Sequence, residues 1–217
     1  PPGPPVLSTI VAEIYGPDYK KQIDVANQVK NILENTDDIV DIDWMVESNQ
    51  TEYKFEVDKE KAMLNGIAAQ QVVGTVTTIM TEHPVSKFYD ATANEPIGIV
   101  LALGDEDKSS LQDIENIKIK SSRGITIPVS DLITVKKDTL QKTIFRKDQK
   151  RVVYVTADMA GALESPVYAI LGVNEKLQQM KLPKGYKVSE LYMEQPKDES
   201  DFTVKWDGEW QITLEVF

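Results

Sequence analysis

Two stretches of the chain share one pattern of apolar and polar positions. Residues 7–15 are rich in Ile, Val and Ala with few charges and predict a strand. Gly16-Pro17-Asp18 predicts a turn, with Asp18 placed to cap a helix. Over residues 19–35 the apolar side chains fall at Ile23, Ala26, Val29, Ile32 and Leu33, a helical spacing with one buried face. Residues 39–47 alternate, with Val40, Ile42, Trp44 and Val46 set against Asp41, Asp43 and Met45, which predicts a half-buried strand. The same order returns late in the chain. Residues 151–159 predict a strand, and Ser165-Pro166 opens a helix carrying Val167, Ile170, Leu171, Asn174 and Leu177 on one face. That helix runs to about Met180 and Pro183 stops it; residues 187–193 predict a last short strand. Two strand–helix–strand units side by side make a four-stranded sheet with two helices on one face. The expected class is α+β, a split βαβ–βαβ ferredoxin-like sandwich.

The middle of the chain has a different texture. Residues 52–57 alternate as a strand; Asp58 caps a short helix over residues 59–64, which Asn65-Gly66 ends. Residues 68–81 keep helical period at Val72, Val76, Ile79 and Met80 despite many β-branched residues. Residues 97–103 predict an apolar strand and residues 111–116 a short helix. Lys118-Ile119-Lys120 and Ile125-Thr126-Ile127 flank Ser121-Ser122-Arg123-Gly124, the signature of a hairpin tip. Residues 129–133 predict a turn and residues 142–146 a strand returning the chain to the second half. The chain thus divides into four segments: 1–50 and 147–195 as the two halves of the sandwich, 51–146 as an inserted α+β domain, and 196–217 as a tail. An insertion of this kind costs little when its ends lie close together.

Composition narrows the function classes. The chain has 217 residues and a formal net charge of −11, with 9 acidic and 3 basic side chains in residues 1–50. Such a charge repels phosphate backbones, so nucleic acid is not an expected partner. There is no Cys and a single His, His83, which excludes disulfides, thiolate metal sites and a zinc centre. No Gly-x-Ser-x-Gly elbow and no glycine-rich phosphate loop is present, so neither a hydrolase triad nor a nucleotide cofactor is expected. Asp37, Asp38, Asp41 and Asp43 form the densest carboxylate group but lack a calcium-loop pattern, and read as a solvated strand face. Met45, Met63, Met80, Met159, Met180 and Met193 are scattered and read as packing residues. Trp206 and Trp210 flank Asp207-Gly208-Glu209 near an apolar end, which points to a membrane-proximal segment; the alternative is that they plug a groove of the core. The start at Pro1 without Met and the end inside an apolar run suggest a piece of a longer chain.

Three stretches carry a resemblance: Leu7-Ser-Thr-Ile-Val-Ala-Glu-Ile-Tyr-Gly-Pro17, Phe55-Glu-Val-Asp-Lys-Glu-Lys-Ala-Met-Leu-Asn-Gly66 and Arg151-Val-Val-Tyr-Val-Thr-Ala-Asp158. Together with residues 117–132 and Lys184-Gly185-Tyr186, they resemble the large extracytoplasmic loops of resistance–nodulation–division (RND) efflux transporters, in particular the second loop. The resemblance implies a division of labour. The split sandwich would be a porter subdomain lining the substrate path. The insert would be a docking subdomain facing a periplasmic adaptor and an outer-membrane channel. It implies a homotrimeric, proton-driven pump of the inner membrane of a Gram-negative-type cell, moving small-molecule substrates, with this piece in the periplasm and the membrane spans outside it. It implies no catalytic residue and no cofactor, since the proton-relay groups of the family lie in membrane helices. The docking hairpin tip maps onto Ser121, Ser122, Arg123 and Gly124, with Arg123 where some relatives carry an acid. The alternatives are metal-ion efflux within the same superfamily, a soluble periplasmic binding or adaptor protein, and an enzyme on a ferredoxin-like scaffold.

Overall fold

The computed structural model describes residues 6–161, 165–182, 185–209 and 211–212. Its strands and helices, in chain order, are β1 (Ile10–Tyr15), α1 (Tyr19–Glu34), β2 (Ile39–Trp44), β3 (Thr51–Val57), α2 (Lys59–Leu64), α3 (Ala69–Thr81), β4 (Pro84–Phe88), β5 (Ile97–Val100), α4 (Leu111–Glu115), β6 (Lys118–Lys120), β7 (Thr126–Pro128), β8 (Ile133–Thr139), β9 (Phe145–Lys147), β10 (Lys150–Met159), α5 (Pro166–Gln178), β11 (Val188–Leu191) and β12 (Phe202–Gly208). They fall into two compact units, one made of Pro1–Asn49 with Gln141–Phe217 and the other of Gln50–Leu140.

The first unit is an α+β sandwich whose sheet runs β11-β12-β1-β10-β2, with β9 added beside β10. β1 and β10 are antiparallel neighbours, pairing Ile10 with Ala157 through Ile14 with Val153. The two sequence-distant strand–helix–strand halves thus share one sheet. Asp18 caps α1 by accepting from the Lys21 N–H at 3.0 Å, and α1 buries Gln22, Val25, Ala26, Val29 and Leu33. α5 starts with Pro166 in its first turn, and Ser165 makes no side-chain cap. Its buried face is Pro166, Ala169, Ile170, Val173 and Leu177; of the predicted face Ile170 and Leu177 are buried, Val167 and Asn174 are half-buried and Leu171 is exposed. Val173 and Ala169 sit one and two turns before Leu177, so the helix rolls its smaller side chains onto the sheet. The core between helices and sheet takes Ile10, Ala12 and Ile14 from β1, Val153, Val155 and Ala157 from β10, and Phe202, Val204 and Trp206 from β12.

Two expectations are corrected by the sheet. The predicted last strand of the sandwich, now β11, lies at the sheet edge; the strand beside β1 is β12, pairing Ile10 with Gly208 through Tyr15 with Thr203. β11 and β12 are parallel. The residues read as a tail after Pro196 therefore hold an interior strand. Trp206 is fully buried, so it plugs the core and does not face a membrane; Trp210 lies outside the described residues. The pattern carries it: Phe202, Val204 and Trp206 alternate and share one face of the strand, while Thr203 and Lys205 between them are buried on the other. The chain also re-enters the first unit at Gln141, because Phe145–Lys147 pairs with β10 across a two-residue turn with positive φ at Asp148 and Gln149.

The second unit is built on β3 and β8, antiparallel from Thr51 with Thr139 to Val57 with Ile133. β8 is visible as alternation in Ile133-Thr134-Val135 but is not part of the predicted set. β4 is likewise unpredicted and forms a hairpin with β5. The core of this unit gathers Ala62, Ile67, Val72, Ile119, Ile127, Val129, Leu132 and Ile133. The unit's ends meet: the Leu140 N–H donates to the Gln50 carbonyl at 2.9 Å.

Candidate functional site

The Ser121–Gly124 tip closes the β6–β7 hairpin, whose strands pair Lys118 with Pro128 and Lys120 with Thr126. Within the tip, the Ser121 N–H donates to the Ile125 carbonyl at 2.7 Å and the Gly124 N–H to the Ser121 carbonyl at 3.0 Å. Gly124 has φ +80°, a conformation that favours glycine. The tip does not project freely. It rests on the corner that joins α2 to the segment before α3. Ser121 Oγ donates to the Asn65 carbonyl at 2.5 Å, while Ser122 donates twice to the Gly66 carbonyl, from N at 3.2 Å and from Oγ at 3.0 Å. Ser121 Oγ in turn accepts from the Arg123 N–H at 3.1 Å.

Gly66 makes that corner possible. Its φ is +71°, and a Cβ there would stand 2.7 Å from Ser122 Oγ and 3.6 Å from Arg123 Cγ. The helix before it is set by Asp58, whose carboxylate accepts from the Lys61 N–H at 3.0 Å. That backbone hydrogen bond holds Asp58 below the ordinary carboxylate value. Asn65 ends the helix, its N–H donating to the Lys61 carbonyl at 3.2 Å.

The four predicted tip residues therefore divide by task. Ser121 is buried and ties the hairpin down. Ser122, Arg123 and Gly124 are exposed, and Ile125 beside them is 59% exposed. Met63 and Leu64, the two residues before the Asn65–Gly66 corner, are each 74% exposed. The outward surface is thus a guanidinium with neighbouring apolar side chains. Sequence reasoning placed the tip but missed the serine anchors, whose partners lie more than fifty residues earlier in the chain.

The other candidate residues do not converge on the tip. Asp41 and Asp43 are exposed on β2, with Asp37 and Asp38 in the turn before it; that turn, with Tyr168 and Lys176, lines an open cavity of about 240 Å³. His83 is exposed between α3 and β4. Met159 and Met180 pack against the first core as expected, whereas Met63, Met80 and Met193 are exposed. No group of three or more His, Asp or Glu among the described residues is arranged to hold a metal ion, and no described helix is long and apolar enough to cross a membrane.

The sequence profile of the AcrB/AcrD/AcrF family matches residues 6–203, through both units and into β12. The chain belongs to that family. As a member of the RND efflux transporters, it is 23% identical over 152 residues to the swarming motility protein SwrC of Bacillus subtilis. It is 25% identical over 186 residues to an uncharacterized transporter of Haemophilus influenzae. The matched regions cover 70% and 85% of this chain but only 14% and 17% of those proteins. Two crystal forms of a heavy metal efflux pump share the fold, with TM-scores of 0.73 and 0.71 at 17% and 18% identity. Each comparison covers 96% of this chain and 20% of the pump. The RND relationship and the α+β ferredoxin-like class expected from the sequence are both found.

Proposed function

We propose that this chain is the extracytoplasmic part of a proton-driven RND efflux pump of the inner membrane. In this reading the first unit is a porter subdomain on the substrate path and the second a docking subdomain. The Ser121–Gly124 tip presents Arg123 to an adaptor or outer-membrane channel, and the working pump is a homotrimer whose membrane spans lie outside this chain. The observation that carries the reading is the match to one transporter family across both units, with a hairpin tip locked to its own domain and its guanidinium left outward. A tip held by three hydrogen bonds is preorganised, so a partner meets it without an ordering cost. Arg123 favours an acidic rim on that partner.

The test is made in the full-length transporter. Arg123→Glu is expected to cut efflux while leaving the amount of pump unchanged, and Arg123→Cys to give crosslinks to the adaptor or channel. Wild-type efflux by the glutamate variant, together with no crosslink to either partner, overturns the docking role.

A second reading has its own support: a heavy metal efflux pump is among the solved proteins with this fold. Under it, metal ions are the cargo in place of organic compounds. Cells expressing the transporter would then accumulate less metal ion, and retain hydrophobic dyes as cells without it do. The opposite pattern supports the organic-substrate reading.

A further inference from the structure

The sheet face away from α1 and α5 carries four charged side chains in a closed ring of alternating sign. Lys147 Nζ lies 2.5 Å from Glu13 Oε1 and 2.7 Å from Asp207 Oδ2. Lys205 Nζ lies 3.6 Å from Glu13 Oε2 and 3.4 Å from Asp207 Oδ2, and donates to Gln211 Oε1 at 2.9 Å. Glu13 and Lys205 are fully buried; Asp207 and Lys147 keep 22% and 32% of their side-chain exposure. Beside the ring is a cavity of about 200 Å³, lined by Val6, Leu7, Val11, Tyr154 and Gly208 together with ring members.

The ring joins unequal parts. Glu13 stands on β1, and Lys205 and Asp207 on β12, both inside the sheet. Lys147 stands on β9, a three-residue strand that meets the sheet only along the start of β10. β9 is also the first strand after the chain returns from the second unit. Around Glu13 stand Tyr15 on its own strand, donating to Oε2 at 2.8 Å, and Tyr154 on β10. Asp148 follows Lys147 in the turn.

We propose that the ring is a proton-operated clasp: proton uptake on Glu13 frees Lys147, and β9 lifts from the sheet at the edge of the cavity. With Glu13 neutral, two ammonium groups face the single carboxylate of Asp207, and the buried ring carries a net positive charge. Lys147 is nearest to water and on the weakest-held strand, so it is the member that leaves. Linkage gives the sign. Lys147 stabilises the ionised carboxylate, so a proton on Glu13 must weaken the seating of Lys147 by the same factor. Burial, first among the causes, holds Glu13 above its ordinary value of 4.5, with the Asp207 carboxyl adding to the rise and Lys147, Lys205 and Tyr15 opposing it. The folded chain therefore takes up this proton before the unfolded chain would, and the clasp opens while the sheet is intact. The inference rests on the ring alone and stands whether or not the transport reading does.

The experiment is amide hydrogen exchange on the 217-residue chain, corrected for intrinsic rates, between neutral pH and pH ~5. In the wild type, protection of residues 145–147 is expected to fall about tenfold as Glu13 takes up its proton. Pairing of β1 with β12 should stay protected. Glu13→Gln should show the loosened β9 at neutral pH and no further response, and Lys147→Met should be loose throughout. Should Glu13→Gln fail to fold, NMR of the wild type decides, since the shift of the Lys147 ammonium, which stays protonated, must move with the same midpoint as the Glu13 carboxyl carbon. Constant β9 protection in the wild type, full protection in a folded Glu13→Gln, or a Lys147 shift that does not follow the Glu13 carboxyl overturns the proposal.

Discussion

Gly66 shows how much a single position decides. A side chain there meets two obstacles: the positive φ and the Ser122 hydroxyl 2.7 Å from where its Cβ would be. Gly124, at φ +80°, meets only the first, since nothing lies within 4 Å of its Cβ position. Gly66→Ala should therefore destabilise the second unit by about 1–3 kcal/mol and Gly124→Ala by the lower end of that range. Denaturant unfolding of both variants measures the difference; equal losses would mean that the tip is not braced against the corner. Asp158 is a second residue whose partners explain its state. The Thr9 N–H at 2.9 Å, then the Ser8 hydroxyl at 2.7 Å, hold it below the ordinary carboxylate value. The contribution is present above the unfolded value of 3.8 and is lost as pH falls through the lowered one, opposite in sign to that of Glu13.

Among the elements, β12 departs furthest from what its position in the chain suggests. It lies between β1 and β11 and delivers Phe202, Val204 and Trp206 to the core, all fully buried. Losing it removes hydrogen bonds along the full length of β1 and leaves a groove where three large side chains were; cutting a buried aromatic such as Trp206 back to Ala alone costs about 3–5 kcal/mol. A chain ended after Pro196 is expected to lose the cooperative unfolding of the first unit, followed by circular dichroism in denaturant. Retention of a cooperative transition would show that β11 can take the place beside β1. The exposed β4–β5 hairpin is the opposite case: a two-stranded ribbon, with Val85, Phe88, Ile97 and Ile99 each about half exposed, contributes little to the core.

For the molecule as a whole, the decisive feature is that a domain is inserted at one point. Leu140 and Gln50 are hydrogen-bonded, and on the first unit's side the Glu47 carboxylate accepts from the Thr143 N–H at 3.0 Å and hydroxyl at 2.7 Å. Each unit has its own core. Replacing residues 50–140 by a short Gly-Ser linker should leave the first unit folded, and residues 50–140 expressed alone should also unfold cooperatively, as followed by circular dichroism and heat. Failure of either piece to fold would mean that the units share stability.

The order of residues alone specifies the two strand–helix–strand halves, the Asp58-capped helix with its Asn65-Gly66 end, and the position of the hairpin tip. Each of these depends on neighbours within about ten residues, where periodicity, caps and turn residues act. Long-range packing settles the rest: that β12 takes the place beside β1, that Ser121 and Ser122 are anchors while Arg123 faces out, and that Glu13 finds Lys147 and Lys205. A lone Glu in an apolar strand and a lone Lys between Val204 and Trp206 look like interruptions in the sequence. They become a neutral ring only when strands almost two hundred residues apart in the chain lie side by side, because a buried charge is tolerated only next to its opposite.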